Sequence, residues 1–232
     1  MRRILALSSR FDLPTVYVSA WVNQIVEEAR RLGHSVRQLV DGELTESNLI
    51  GVIEGYAPEF VVAGGHGNQS TFTGMNLSPL IVACTNDGML AGSQVLFASC
   101  LTGIELVPSV VSKGGLAAAG FTSEFTWVVS EPYDPYSDPY AQPFGRLIVE
   151  PMVEVLKGRG WRAWHDTLRR IGAEEKAAWG RVTDDPLAAQ VVYFLDHDMR
   201  AATFVSTEEE MVGLDLKTLV IGGYILKALL GG

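Results

Sequence analysis

With 232 residues, the chain can form one large domain with a well-buried core. Its 47% hydrophobic and 19% charged residues exclude a disordered chain. A formal net charge of −9 without a Lys/Arg cluster argues against a nucleic-acid partner, whose phosphates need concentrated positive charge.

Taken in order, the first 120 residues alternate strand and helix signals. Residues 3–8 read as a buried strand: the apolar run stops at Ser8-Ser9-Arg10, too short for a secretory leader. Residues 17–32 carry Val18, Trp21, Val22, Ile25, Val26 and Ala29 at helical spacing and stop at Gly33. Residues 35–40 are a second strand. Residues 45–56 are a second helix, opened by Thr45 as cap. Residues 60–63 are a third strand followed by Gly64-Gly65-His66-Gly67, and residues 95–98 a fourth followed by Ser99-Cys100. A helix over 104–112 and a small-residue strand over 115–121 complete this half. Short apolar strands separated by helices predict an α/β fold with a mostly parallel sheet covered on both faces. Sites in such sheets form at the carboxyl ends of strands.

The segment 131–143 (EPYDPYSDPYAQP) is too rich in proline for a helix or inner strand. It reads as a stiff loop, either a surface connection or a wall over the site. The remainder is expected to be mainly helical, over 144–156, 161–179 and 186–200, with Trp161, Trp164 and Trp179 in the core. The apolar stretch 212–230 is interrupted by Asp215, Lys217 and Lys227. It is read as a helical extension that docks on the domain or a partner, with attachment to a membrane surface as the alternative. The expected organisation is one domain over 1–205 and an extension over 206–232.

The chemistry concentrates on two strand ends. A thiol nucleophile needs a base to take its proton, and backbone N–H groups to hold an oxyanion. Neighbouring parallel strands, about 4.8 Å apart, would set His66 beside Cys100. Gly67, lacking a Cβ, can present its N–H there, and a helix following Cys100 would favour a thiolate. The two cysteines suit a reducing cytoplasm, and Cys84 is expected in the core. His34, His165 and His197 lack metal-ligand spacing. Asp196-His197-Asp198 is read as a helix surface, and no metal or cofactor is expected.

An apolar strand ending in His66-Gly67, then another ending in Ser99-Cys100, resembles the caspase-like clan of cysteine peptidases, which includes caspases, legumains, gingipains, clostripain and separase. Ala98-Ser99-Cys100-Leu101-Thr102-Gly103 is similar to the Ser-Ala-Cys-Glu-Thr-Gly pattern of the CHAT and gingipain-like branches. The run from Gly114 to Phe121 with Trp127 beyond it, and Leu156-Lys157-Gly158 before a helix bearing Trp164, resemble the same branch. Leu101 departs from it, standing where the CHAT pattern has a charged residue. The resemblance implies a cysteine endopeptidase acting on a peptide or protein through an acyl-thioenzyme. His66 would be base and acid, Cys100 the nucleophile, and the N–H groups of Gly67 and Cys100 the oxyanion hole. Arg10, Asp12 and Glu124 are candidates for binding the substrate side chain: the acidic pair would favour Arg or Lys before the scissile bond, Arg10 an acidic residue. Two alternatives stay open. One is a catalytically silent caspase-like scaffold of unknown oligomeric state. The other is a flavodoxin-like ligand domain, although Ser8-Ser9-Arg10-Phe11 follows the first strand in place of a Gly-rich phosphate loop.

Overall fold

A computed structural model describes residues 1–207. The elements run β1 (Arg3–Ser8), α1 (Leu13–Arg31), β2 (Ser35–Val40), α2 (Glu46–Tyr56), β3 (Phe60–Gly64), β4 (Thr71–Thr73), β5 (Pro79–Val82), β6 (Gln94–Ala98), α3 (Leu106–Ser112) and β7 (Ala117–Phe121). They continue with α4 (Gln142–Leu156), α5 (Gly160–Trp179), α6 (Ala188–Ala201) and β8 (Ala202–Ser206). The main sheet has six strands in the order β2-β1-β3-β6-β7-β8. All neighbours are parallel except β7 and β8.

Side-chain alternation along the strands decides the layers. Ile4, Ala6, Phe60, Val62, Leu96, Ala98, Ala117 and Ala119 join the core formed with α1, α4, α5 and α6. The intervening Leu5, Leu7, Val61, Ala63, Val95, Phe97 and Ala118 join a second core on the opposite face, with Leu49 of α2 and Leu106, Val107 and Val110 of α3. The mostly parallel sheet with helices on both faces is therefore as the sequence predicts.

Four local expectations change. Helix α1 begins four residues early, at Leu13, because Asp12 caps it: the Asp12 carboxylate accepts from the Thr15 N–H, Thr15 Oγ1 accepts in return from the Asp12 N–H, and a proline lies in the first turn. The C-terminal half is not purely helical. Strand β8 follows α6 without a turn signal and pairs antiparallel with β7 as far as Ala117–Ser206, and the Thr207 N–H then reaches Leu116 O at 3.0 Å. A small hairpin, β4 with β5, sits between β3 and β6; three and four residues are too few to show a period. Cys84 is exposed rather than in the core, just past β5 with φ 59°. From residue 208 onward, the expected extension lies outside the described residues. Among the described residues, no helix is long and apolar enough to cross a membrane.

Helix α1 lies close against the end of β3. A Cβ at Gly64 would stand 2.5 Å from Val22 Cγ2 and 2.8 Å from Val18 Cγ1. Gly64 is thus a glycine that lets a helix approach. Gly64→Ala should destabilise the fold by about 1–3 kcal/mol through overpacking, read as a lower urea midpoint at unchanged slope. A neutral result would mean that α1 shifts freely.

Candidate active site

Strand register brings the two candidate groups together. Gly64 of β3 is paired with Ala98 of β6, so His66 and Cys100 each lie two residues past the last matched pair. The Gly65 N–H donates to Ala98 O at 3.3 Å, carrying the pairing one step further. Both residues line one open cleft of about 470 Å³. The cleft lies at the carboxyl ends of the strands, where chain order reverses: β1 has β2 on one side and β3 on the other.

Asp12 completes the arrangement. Its Oδ1 accepts from the Thr15 N–H at 3.0 Å and the Thr15 hydroxyl at 2.7 Å. Its Oδ2 lies 2.7 Å from His66 Nε2. Burial pushes the Asp12 carboxyl up, but hydrogen bonds from Thr15 and His66 outweigh it and hold the group below the usual carboxylate range. An ionised carboxylate only accepts, so Nε2 is the donor in this contact. The sequence suggests Asp12 as a substrate-binding residue; the structure instead joins it to the imidazole, and it does not line the cleft. An Asp-x-x-Thr cap is legible locally, but a partner 54 residues away is not.

The N–H groups of Gly67 and Cys100 donate to no other residue among the described residues. Gly67 and Phe72 form an isolated antiparallel bridge. The flanking bonds, Asn68 N–H to Thr71 O and Thr73 N–H to His66 O, make it a non-hydrogen-bonded pair. The Gly67 N–H therefore points away from the hairpin and meets no backbone or side-chain acceptor among the described residues, while that of Cys100 meets only its own sulfur. A side chain would not fit at Gly67: its Cβ would stand 2.8 Å from Thr102 Cγ2 and 3.0 Å from Cys100 O. After the thiol, Leu101 takes the left-handed conformation (φ 64°) and donates its N–H to Ser123 O at 3.0 Å. That conformation is uncommon for leucine and marks local strain.

Cys100 is partly buried, with Sγ 4.0 Å from Phe125 O. Burial pushes its thiol above the ordinary range, and the charges of Glu124 and Asp198 add to the shift. The expected helix N-terminus does not follow the thiol directly. Residues 101–105 form turns, and α3, seven residues long, starts only at Leu106.

The cleft's far wall, residues 124–129, is fastened by α6. His197 Nε2 lies 3.0 Å from Ser123 Oγ and 2.9 Å from Glu124 O. Asp198 Oδ1 accepts from the Thr126 N–H at 3.1 Å. The reading of Asp196-His197-Asp198 as a helix surface is thus corrected: Asp198 is fully buried, and burial pushes its carboxyl well up. Asp196 pairs with Lys176 and Arg200. Of the remaining candidates, Glu124 lines the cleft with its side chain exposed. Arg10 does not line it; it is exposed and paired with Asp41 at 2.5 Å. The Pro-Tyr loop does not line it either. It is pinned by buried Asp138, which accepts from Tyr17 Oη at 2.7 Å and the Ser130 N–H at 2.9 Å.

Comparison with solved structures places the fold. The Arg specific cysteine proteinase gingipain R (RgpB) superposes with a TM-score of 0.56 at 13% identity, over 88% of this chain and 46% of that chain. The complex of Porphyromonas gingivalis RgpB pro- and mature domains gives 0.57 at 14% identity, over 88% of this chain and 47% of that one. The chain has a gingipain-like, caspase-type fold. It spans about half the length of the gingipain chains it matches. No family model matches the sequence, and no curated protein matches it. Within this gingipain-like fold, His66 and Cys100 occupy ends of adjacent central strands, with Asp12 at the end of the next.

Two outcomes follow from these contacts. Carbamidomethylation of Cys100 should accelerate with a midpoint above the ordinary thiol value of about 8.5, and Glu124→Gln should lower that midpoint by removing a nearby negative charge. Mass spectrometry of the labelled peptide across a pH series reads both; a midpoint unmoved by the substitution would show that this charge does not reach the sulfur. Asp198→Ala should lower stability by about 1–3 kcal/mol, because it strips the Thr126 N–H of its acceptor, as read by urea unfolding.

Proposed function

We propose that the chain is a cysteine endopeptidase that cleaves peptide or protein substrates through an acyl-thioenzyme. The single observation that carries this reading is the meeting of His66 and Cys100 on one open cleft, with the His66 ring held by Asp12. The gingipain-like fold supports it at the level of architecture. Both cysteines are free, which suits a reducing compartment such as the cytoplasm.

In this mechanism the Cys100 sulfur attacks the scissile carbonyl carbon while its proton passes to His66 Nδ1. Because the thiol is held protonated by burial and by Glu124 and Asp198, the transfer accompanies attack rather than preceding it. Asp12 accepts from Nε2–H throughout, which fixes the tautomer and stabilises the imidazolium as it forms. The carbonyl oxygen, now negative, is taken by the N–H groups of Gly67 and Cys100. Collapse expels the amine, which receives the proton from His66. Water, deprotonated by the same imidazole, then hydrolyses the thioester and frees Cys100.

A second reading keeps the fold as a catalytically silent binding or scaffold protein, and the raised Cys100 thiol is the observation in its favour. The two part on turnover. On the peptidase reading, Cys100→Ala abolishes hydrolysis of a mixed peptide library and iodoacetamide labels Cys100 with loss of activity. Asp12→Asn keeps the helix cap, since Asn caps as well as Asp, yet lowers kcat by about 100-fold or more because the imidazolium loses its counter-charge. Hydrolysis that survives Cys100→Ala ends the peptidase reading. So does a pure wild-type protein that binds peptides and turns none over.

A further inference from the structure

We propose that this cleft selects a large uncharged apolar side chain, aliphatic or aromatic, next to the scissile bond, and not the arginine favoured by the Arg specific proteinase whose fold it shares. The inference rests on the peptidase reading for its chemistry and on the cleft's lining for its direction.

The lining is dominated by apolar groups contributed by two elements. Leu13 and Val18 come from α1, and Phe125, Trp127 and Val129 from the opposite wall. Trp127 does not stand alone. Its ring lies 5.2 Å from Trp21, 6.0 Å from Phe125 and 6.2 Å from Tyr17, all in tilted or edge-on contact. An aromatic wall packed into the core is rigid, and rigid apolar walls reward apolar guests at little ordering cost.

Charge points the same way. Glu124 is the one carboxylate among the described residues that line the cleft, and no Lys or Arg lines it. Glu124 is exposed and also borders the neighbouring depression with Tyr193 and His197, so its charge belongs to the rim. The other nearby carboxylates do not line the cleft. Asp12 holds His66 and Thr15. Asp138 holds Tyr17 and Ser130. Asp198 is fully buried behind Thr126, with Oδ1 on the Thr126 N–H and Oδ2 without a partner among the described residues, and it lines neither depression. A guanidinium entering the cleft would lose its water with no buried carboxylate on the lining to replace it, which is unfavourable. An acidic side chain would meet no cation except an imidazolium already committed to Asp12.

The test is a panel of N-acylated tripeptide substrates with a fluorogenic amide leaving group, identical except for Leu, Phe, Arg, Lys or Asp next to the scissile bond. The expected result is kcat/KM for Leu and Phe at least about tenfold above Arg, Lys and Asp, the range a hydrophobic pocket can discriminate. Val129→Asp places a carboxylate on the apolar wall and should move the preference toward Arg and Lys. The same acyl peptides as carboxamides, titrated calorimetrically into Cys100→Ala, give the ranking without turnover. An apolar ranking in that titration with no wild-type hydrolysis would sustain the pocket and defeat the peptidase reading. Hydrolysis preferring Arg or Asp would do the reverse. Should Val129→Asp lose its cooperative melt, the wild-type panel and the Cys100→Ala titration decide alone.

Discussion

In-register parallel pairing of β3 with β6 is the constraint on which the site depends. With Gly64 opposite Ala98, equal numbers of residues carry each chain to His66 and Cys100. A slip of one residue would turn either side chain to the other face of the sheet, and the imidazole and sulfur would no longer share a cleft. The register is itself fixed by burial on both faces: Phe60, Val62 and Leu96 belong to one core, Val61, Ala63, Val95 and Phe97 to the other. Two cores that each reject polar replacement hold the strands more firmly than one would.

Asp12 couples that sheet to a helix. One oxygen caps α1, where the helix dipole favours negative charge, and the other orients His66. Two needs, a helix start and a fixed imidazole tautomer, are met by one ionised group. Gly64 then lets α1 lie close enough to β3 for the cap to reach the ring. Local chain chemistry at residue 12 and packing at residue 64 are therefore parts of one geometric solution.

Much of this was legible from residue types, and the limits of that reading are physical. The buried parallel strands, the Thr45 cap of α2 and the neighbouring strand ends at His66 and Cys100 follow from short-range pattern. Asp12 is different. Its capping role is written in Asp12 and Thr15, three residues apart, but its contact with His66 exists only because β1 and β3 are neighbours. Asp198 carries no sign of its burial, since a carboxylate on an amphipathic helix ordinarily faces water; only the need of the Thr126 N–H for an acceptor accounts for it. Cys84 follows an apolar run, yet the chain turns there through a left-handed residue and leaves the core. Strand β8 lacks a turn signal because it continues directly from α6 and takes its partner from β7.

The cleft wall explains why a buried thiol and an apolar cleft belong together. Residues 123–126 are tied to α6 through His197 and Asp198, and to the turn after Cys100 through the bond from Leu101 N–H to Ser123 O. Pulling this wall over the strand ends shields the sulfur, and shielding favours the neutral thiol over the thiolate. The same closure lines the space beside the sulfur with Phe125 and Trp127. A wall carrying buried positive charge would have lowered the thiol but disrupted the aromatic cluster. This chain takes the opposite course: it covers the sulfur with hydrocarbon, and on the proposed peptidase reading deprotonation falls to His66, whose Nε2 lies 2.7 Å from Asp12.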